Sequence, residues 1–518
     1  MEAIMKRIHL TFIVIVLAMI IMICQTEIFA ATGSVNVAET HQTIEGFGAS
    51  IGFYEGILTN HPNKDDIYDY MFQELGLDIL RLRNSYRNNP ANFNPDVEEI
   101  VQNMYYHSDF EPKILISSWS PPADLKSNNN VNGGNNATLK KENDEFVYGK
   151  FAKYWTDALD AFNNIGIVPD YISLQNELSY DAEWESCRFD PTETTSIAGY
   201  DHALDSVYTA LQQAGISTKI LGPECHGIGY QTFQHYAARF NHDLLYGYAY
   251  HLYHGGDGNV HPDAFNANLT AIANNYSDKP IFQTEYDYGG WFNTAWLMHD
   301  CLVNGNVSGY LYWELIWPYS TTSNAALIPV ENQYDPGGWT TNDGYVLSQN
   351  YWAFRQFSKF IFAGWKRVTA DADDDSLKIS AYINPENDML TVVIINVSHE
   401  DNTLSFNIQG FDIENGEIIR TSETEQGDFI SYLDGSSSLE MPARSITTLS
   451  CWGETTGIAE TRPLSPDRFV LGQNYPNPFN AFTTIDYSTP FQSAVQMNVY
   501  NTAGQKVKTW NSKAVPAG

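Results

Sequence analysis

Two glutamates in this chain of 518 residues stand where a carboxylate is costly. Asp170 to Tyr180 reads DYISLQNELSY. Tyr171, Ile172 and Leu174 have strand character, and Gln175, Asn176 and Glu177 follow at once. The stretch PIFQTEYDYGG (280–290) repeats the arrangement with Glu285. A carboxylate at the end of a buried strand costs free energy unless it is paired, solvated or used. Other short apolar runs end in Trp119, Ser120, Pro121 and Pro122, in His251 and Tyr253, and in Trp313 and Glu314. Two carboxylates, an imidazole and several aromatic rings suit cleavage of a glycosidic bond. The bridging oxygen is a poor leaving group and needs an acid beside it. The anomeric carbon gains positive charge and needs a carboxylate on its other face. Each residue also has a plainer role open to it: ion pairs for Glu177 and Glu285, core packing for Trp119 and Trp313, a structural hydrogen bond for His251. Glu224 and Glu314 read as structural or supporting carboxylates.

These side chains work together only if the chain brings the run ends to one place. Eight such runs occur between about 43 and 360: 43–52, 78–83, 113–122, 171–177, 219–224, 246–254, 280–290 and 309–317. Each is followed by a longer amphipathic segment. After the third run, Phe151, Tyr154, Trp155, Ala158, Leu159 and Phe162 recur at helical spacing, and Gly166 can end that helix. Eight strand–helix units predict a (β/α)8 TIM barrel, whose functional groups gather at the C-terminal ends of its strands. The fourth and seventh strands then lie on roughly opposite sides of the mouth and can flank one bond. An open doubly wound sheet is the alternative, but Gly46, Gly48 and Gly52 lack the phosphate-binding spacing. From 366 to 452 the pattern changes to strands separated by Asn, Asp, Gly and Pro, a side β-sandwich domain. A polar linker (453–467) and a short C-terminal β segment (468–518) follow.

Composition narrows the partners. With 28 basic against 62 acidic residues and a net charge of −34, the chain lacks the basic footprint of a nucleic-acid or anionic-membrane binder. Aromatic residues make up 14%, enough for some to line a recognition surface. Lys6 and Arg7 precede an apolar run (8–24), and Ala30 and Ala31 are small, so residues 1–30 read as a secretion signal. The alternative is an uncleaved anchor. Beyond Cys24, the widely spaced Cys187, Cys225, Cys301 and Cys451 offer no metal-ligand spacing. They allow three disulfide pairings or four buried thiols. No metal or cofactor is expected.

The ordered set SWSPPADLKSN (118–128), ISLQNE (172–177), ESC (185–187), HLY (251–253) and QTEY (283–286) resembles glycoside hydrolase family 30, in particular its bacterial xylanase branch. The resemblance covers roughly 34–452. It implies a barrel (43–365) with a side β domain completed by an N-terminal strand (31–42). It further implies a retaining endo-β-1,4-xylanase with Glu177 as acid/base and Glu285 as nucleophile. Asn176 would bind a sugar hydroxyl. Trp119, Tyr253 and Trp313 would build the sugar site upstream of the cut bond, Tyr180 and Trp184 would wall the sugars beyond it, and Arg81 and Arg83 would orient the carboxylates. The YPNPFN stretch (475–480) resembles the sorting domain of bacterial type IX secretion. It implies a secreted or surface-attached protein handled by that machinery, with no membrane attachment after processing. Such domains run on through further strands, so the sequence is expected to stop short of the domain's end.

Two departures matter. Leu178 stands where the family usually has Pro after the acid/base. Members specific for glucuronoxylan carry Arg in the loop after the eighth strand, and this chain has no Arg between Arg239 and Arg355. Xylan cleavage without a strict glucuronate requirement is therefore expected. An exo-acting xylobiohydrolase, a β-1,6-glucanase and a non-catalytic carbohydrate-binding surface protein are the alternatives. The segments 128–143 and 324–339 are candidates for walling off one end of the cleft.

Overall fold

The computed structural model describes residues 31–86, 95–108, 110–254, 261–287, 289–318, 326–331, 343–433 and 438–456, and in the tail 470–471, 487–488, 493–500 and 505–515. The expected signal (1–30), most of the expected linker, the YPNPFN stretch and part of 324–339 lie outside the described residues.

Strand β1 (Ala31–Thr43) belongs to the side domain. The next eight strands close into a parallel barrel in chain order: β2 (Gly46–Ile51), β3 (Ile79–Arg83), β4 (Lys113–Ser117), β5 (Tyr171–Ser173), β6 (Lys219–Cys225), β7 (Gly247–His251), β8 (Ile281–Glu285) and β9 (Val307–Tyr312). They are the eight runs expected from the sequence. After the short helical pieces that follow β2, helices α1 (Pro95–His107), α2 (Tyr148–Asn164), α3 (Tyr200–Ala214), α4 (Thr232–Ala237), α5 (Asn266–Asn275), α6 (Gly290–Val303) and α7 (Gln349–Ser358) follow the remaining strands in turn. In α2 the expected apolar face is buried, and Gly166 takes the left-handed backbone (φ 80°) that ends it.

The barrel interior is layered. Ile79, Leu115, Tyr171, Leu221, Ala249, Phe282 and Leu311 fill its floor. Gly309 leaves room for the Phe282 ring, since a Cβ there would lie 2.4 Å from it. Two residues further along, the inward positions turn polar: Ile79 is followed by Arg81, Leu115 by Ser117, Tyr171 by Ser173 and Ala249 by His251. Period-two alternation explains these four. On β6 and β8 the inward step is three residues, from Leu221 to Glu224 and from Phe282 to Glu285. The register shifts between Pro223 and Cys225 and between Gln283 and Glu285, and such bulges re-aim a side chain.

The side domain comprises β1 with β10 (Lys366–Ala372), β11 (Leu377–Ile383), β12 (Met389–Asn396), β13 (Asn402–Gln409), β14 (Phe411–Thr421), β15 (Gln426–Tyr432), β16 (Ser438–Met441) and β17 (Ser445–Thr455), in the order β15–β14–β17–β12–β11–β10–β1–β13–β16. Strand β1 pairs antiparallel with β10 and parallel with β13, as the expected N-terminal strand should. Strand β17 runs three residues into the segment read as linker, because Phe411, Asp412 and Ile413 give it a partner. Helix α7 joins barrel to sheet: Gln356 Nε2 donates to Thr421 Oγ1 (2.8 Å), and Thr448 Oγ1 donates to the Gln356 carbonyl (2.8 Å). Residues 457–518 form a separate unit, in which Ser493–Tyr500 pairs antiparallel with Lys506–Val515.

Candidate active site

Glu177 lies four residues beyond β5 and is pinned by backbone bonds. The Asn176 N–H donates to the Ser118 carbonyl (2.7 Å), and the Glu177 N–H to the Glu224 carbonyl (3.1 Å). Glu177 has left-handed backbone (φ 49°), a strained conformation that persists only where its surroundings enforce it. Glu285 ends β8. One ligand atom each of Glu177, Glu285 and His251 lie within 4.8 Å of one another, and all three residues are buried.

The two carboxylates have different surroundings. Arg81, fully buried, donates through Nη1 to Glu285 Oε2 (2.6 Å) and through Nη2 to Asn176 Oδ1 (2.7 Å). Its Nη2 also lies 3.1 Å from Glu224 Oε1. Glu177 Oε1 lies 3.2 Å from His251 Nδ1 and 3.5 Å from His226 Nε2. Burial pushes the Glu177 carboxyl up to about 7, against the pull of the His251 hydrogen bond and with further upward pressure from Glu285. Burial would lower His251, but Glu285, Glu177 and Glu224 outweigh it and raise the imidazole to about 9. Burial would raise Glu224, but Arg81 and then His251 hold it at about 2. His226 is pushed down to about 3 by burial and by His251 and His254, so it is neutral.

The glutamates open onto a cavity of about 500 Å³. Asn176, Trp119, Tyr253, Trp313, Tyr180 and Trp184, all singled out in the sequence, line it together with Phe53, Tyr54, His226 and Trp317. Trp119 and Trp313 lie 5.6 Å apart, and the Arg81 guanidinium sits 4.6 Å from the Trp119 ring. Opposite in character is a stack of three rings. Tyr180 lies 4.5 Å from His226, and His226 lies 5.3 Å from Tyr253, both with nearly parallel planes. Among the described residues, Glu177, His251 and Glu285 form a group of His and carboxylates close enough together to hold a metal ion. A guanidinium and an imidazolium already supply positive charge there, so the grouping needs no metal ion for charge balance.

Residues 364–449 match the glycosyl hydrolase family 30 beta sandwich domain. Over 444 residues the chain is 23% identical to the glucuronoxylanase XynC of Bacillus subtilis strain 168, spanning 82% of this chain and 92% of that one. The chain resembles glycoside hydrolase family 30, through its side domain and through this distant relative. It shares its fold with the subfamily 8 xylanase Xyn30A of Clostridium acetobutylicum, with a TM-score of 0.63, 23% identity and coverage of 81% and 99% of the two chains. It is also 26% identical over 269 residues to the endo-1,6-beta-D-glucanase BGN16.3 of Trichoderma harzianum, 49% of this chain and 50% of that one. Residues 473–516 match a secretion system C-terminal sorting domain. The protein is thus a bacterial type IX export product, secreted or held at the cell surface.

The two arginines of β3 part company. Arg81 reaches the carboxylates. Arg83, one layer higher, pairs with Glu185 (3.2 Å) and lies 4.4 Å from the Phe53 ring, so the expectation that it too orients the carboxylates is corrected. Glu314 is buried and accepts from the Gly52 N–H (3.1 Å), and burial raises its carboxyl well above the usual range. The described segment 128–143 contributes no lining residue. It braces the loop that bears Tyr180 and Trp184, with Gly134 and Asn136 donating backbone N–H groups to Asp181 (3.0 and 2.7 Å). Sequence reasoning missed His226, Phe53, Tyr54 and Trp317, all of which lie in or just after an expected run. Cys187, Cys225, Cys301 and Cys451 are free, buried thiols.

Proposed function

We propose that the protein is a retaining endo-β-1,4-xylanase with no strict need for a glucuronate branch. Glu177 is the acid/base and Glu285 the nucleophile. The observation that carries this reading is the close approach of Glu177 and Glu285, with oxygens within 4.8 Å of each other at the floor of an aromatic cavity. Carboxyl groups about 5–5.5 Å apart support double displacement, whereas an inverting water needs about 6.5–9.5 Å.

In the first step the Glu177 proton passes to the glycosidic oxygen as the C1–O bond breaks, and a Glu285 oxygen bonds to C1. Arg81 holds Glu285 Oε2, which leaves Oε1 for attack. In the second step the Glu177 carboxylate takes a proton from water, whose oxygen bonds to C1 and frees Glu285. The Asn176 carbonyl oxygen is occupied by Arg81, so its NH2 group faces the sugar hydroxyl. Trp119 and Trp313 offer apolar faces on one side of the bond, and Tyr180 and Trp184 on the other.

The xylan assignment draws on the similarity to a glucuronoxylanase. The similarity to a β-1,6-glucanase favours the second reading, the same chemistry on a β-1,6-glucan. A panel of defined polysaccharides with product sizes followed over time separates them. Xylo-oligosaccharides of mixed length are expected, released first as β anomers by NMR. Products from β-1,6-glucan alone would replace the substrate, xylobiose alone would replace endo with exo action, and initial α anomers would refute double displacement.

A further inference from the structure

We propose that Glu224, a third carboxylate buried beneath the pair and in contact with both of their cations, is the positioning residue that keeps the proton on Glu177. The proposal rests on the reading of Glu177 as proton donor and deepens it.

Charge counting carries the argument. Among the described residues, the cations that reach this cluster are Arg81 and His251. Three carboxyl groups share them. Glu285 lies 2.6 Å from the guanidinium. Glu224 Oε1 lies 3.1 Å from Arg81 Nη2 and 3.7 Å from His251 Nε2, and both Glu224 and Arg81 are fully enclosed. Glu177 keeps only the 3.2 Å contact with the outer nitrogen of His251. Two positive charges therefore balance Glu224 and Glu285, and a third anion in the same enclosure would be uncompensated, which is costly. The proton stays on the carboxyl with the weakest cation contact, which is also the one facing the cavity. Without the Glu224 charge, two cations would face two carboxylates, and Glu177 could ionise without excess charge.

The groups around the cluster add no cation to this count. His226, just beyond β6, is neutral. Tyr253, beyond β7, and Glu314, after β9, are both raised well above their ordinary values by burial. Asp287, beyond β8, is raised to about 6 by burial and by Glu285, so near pH 7 it adds negative charge and does not relieve the shortage of cations. Around Glu224 itself stand the hydroxyls of Ser117 and Ser173, and Tyr200 and Cys225, both raised well above their ordinary values by burial.

The test is kcat/KM against pH for wild type, Glu224→Gln, Glu224→Asp and His251→Gln, each checked for folding by thermal melting. Two aryl β-glycosides of the cleaved sugar are used, one with a poor and one with an activated leaving group. In wild type the alkaline limb is expected with the poor leaving group and absent with the activated one, which needs no acid. A limb that persists with the activated group overturns the Glu177 assignment itself. Given a leaving-group-dependent limb, Glu224→Gln is expected to move it down by about one pH unit or more. Glu224→Asp should leave it near the wild-type position, and His251→Gln, which removes a cation, should move it up. A limb that stays put or rises in Glu224→Gln, or that falls equally in Glu224→Asp, overturns the Glu224 proposal while the Glu177 assignment stands. Should Glu224→Gln not fold, a limb unmoved or lowered in His251→Gln overturns it.

Discussion

At the N-terminal end of the barrel Glu45 receives Tyr246 Oη at 2.5 Å, Lys113 Nζ at 2.8 Å and Tyr171 Oη at 2.8 Å. At the C-terminal end Glu177 receives His251 Nδ1 at 3.2 Å. Burial pushes both carboxyls up. At the floor Lys113, Tyr246 and Tyr171 overcome it, and Glu45 ends below its ordinary value. At the mouth nothing comparable does, and Glu177 reaches about 7. The difference lies in the number and quality of donors, since both carboxylates are held by the same barrel. A carboxylate that serves stability is surrounded by donors, whereas one that must give up a proton is left short of them. Backbone strain follows the same division: Glu177 (φ 49°) and Glu224 (φ 64°) adopt left-handed backbone at the mouth.

The comparison breaks most sharply by substitution at the mouth. Glu177→Gln and Glu285→Gln each preserve shape but remove the proton donor or the attacking oxygen. Each is expected to lower kcat at least about 100-fold on polysaccharide, the scale of a lost general acid, with an unchanged melting temperature. Near-normal turnover by either variant would remove that residue from the mechanism.

Titration gives the next effect in size. In the proposed mechanism Glu177 is the acid only while protonated. With the carboxyl raised to about 7, kcat/KM on unactivated substrate should fall about tenfold per unit as pH rises beyond it. The same shift carries a stability sign. A carboxyl raised on folding contributes stability that is present below its unfolded value and lost as pH rises through the folded one. Glu45, lowered on folding, contributes stability present above its unfolded value and lost as pH falls. Glu45→Gln should therefore cost about 2 kcal/mol at neutral pH, the worth of hydrogen bonds to a charged group, and leave kcat unchanged. Urea unfolding at pH 7 and at pH 4 checks it: the deficit should shrink at the lower pH.

The sequence made only part of the mouth legible. Every barrel strand could be found because each apolar run stops abruptly in polar residues, and Glu177 and Glu285 could be found because they follow such runs. The part played by Glu224 could not. Strict alternation from Leu221 points residue 223 inward, and only the shift in register after Pro223 turns Glu224 to the interior. Arg81 and Arg83 share a face by alternation, but alternation gives no height along the barrel axis, and one layer separates a clamp on Glu285 from a pair with Glu185. His226 escaped because its run seemed complete two residues earlier, at Glu224. Its importance comes from stacking between Tyr180 and Tyr253, which no spacing encodes.

The smallest expected effect concerns the charge that the mouth lacks. A glucuronate branch carries one negative charge, and an opposite charge at about 4 Å near a protein surface contributes up to about 4 kcal/mol before desolvation. An enzyme that reads the branch needs a cation free to meet it. Here the chain has no Arg between Arg239 and Arg355, and among the described residues Arg81, Arg83, Lys126 and Arg188 at this end have partners. Arg81 holds Glu285, and Arg83 pairs with Glu185. The buried Lys126 Nζ donates to the carbonyls of Val131, Asn132 and Ser186, while Arg188 pairs with Asp190 (3.3 Å) and donates to Asn136 Oδ1 (2.8 Å). Recruiting any of these to a sugar acid would strand a carboxylate or a set of carbonyls, which offsets most of the attraction. Catalytic efficiency on glucuronoxylan should therefore change by less than about tenfold, under 1.4 kcal/mol, when the branches are removed enzymatically. A hundredfold loss would mean that one of these cations leaves its partner for the branch. Arg83→Met and Arg188→Met would then show which one, because only the variant lacking the true reader would become indifferent to branch removal.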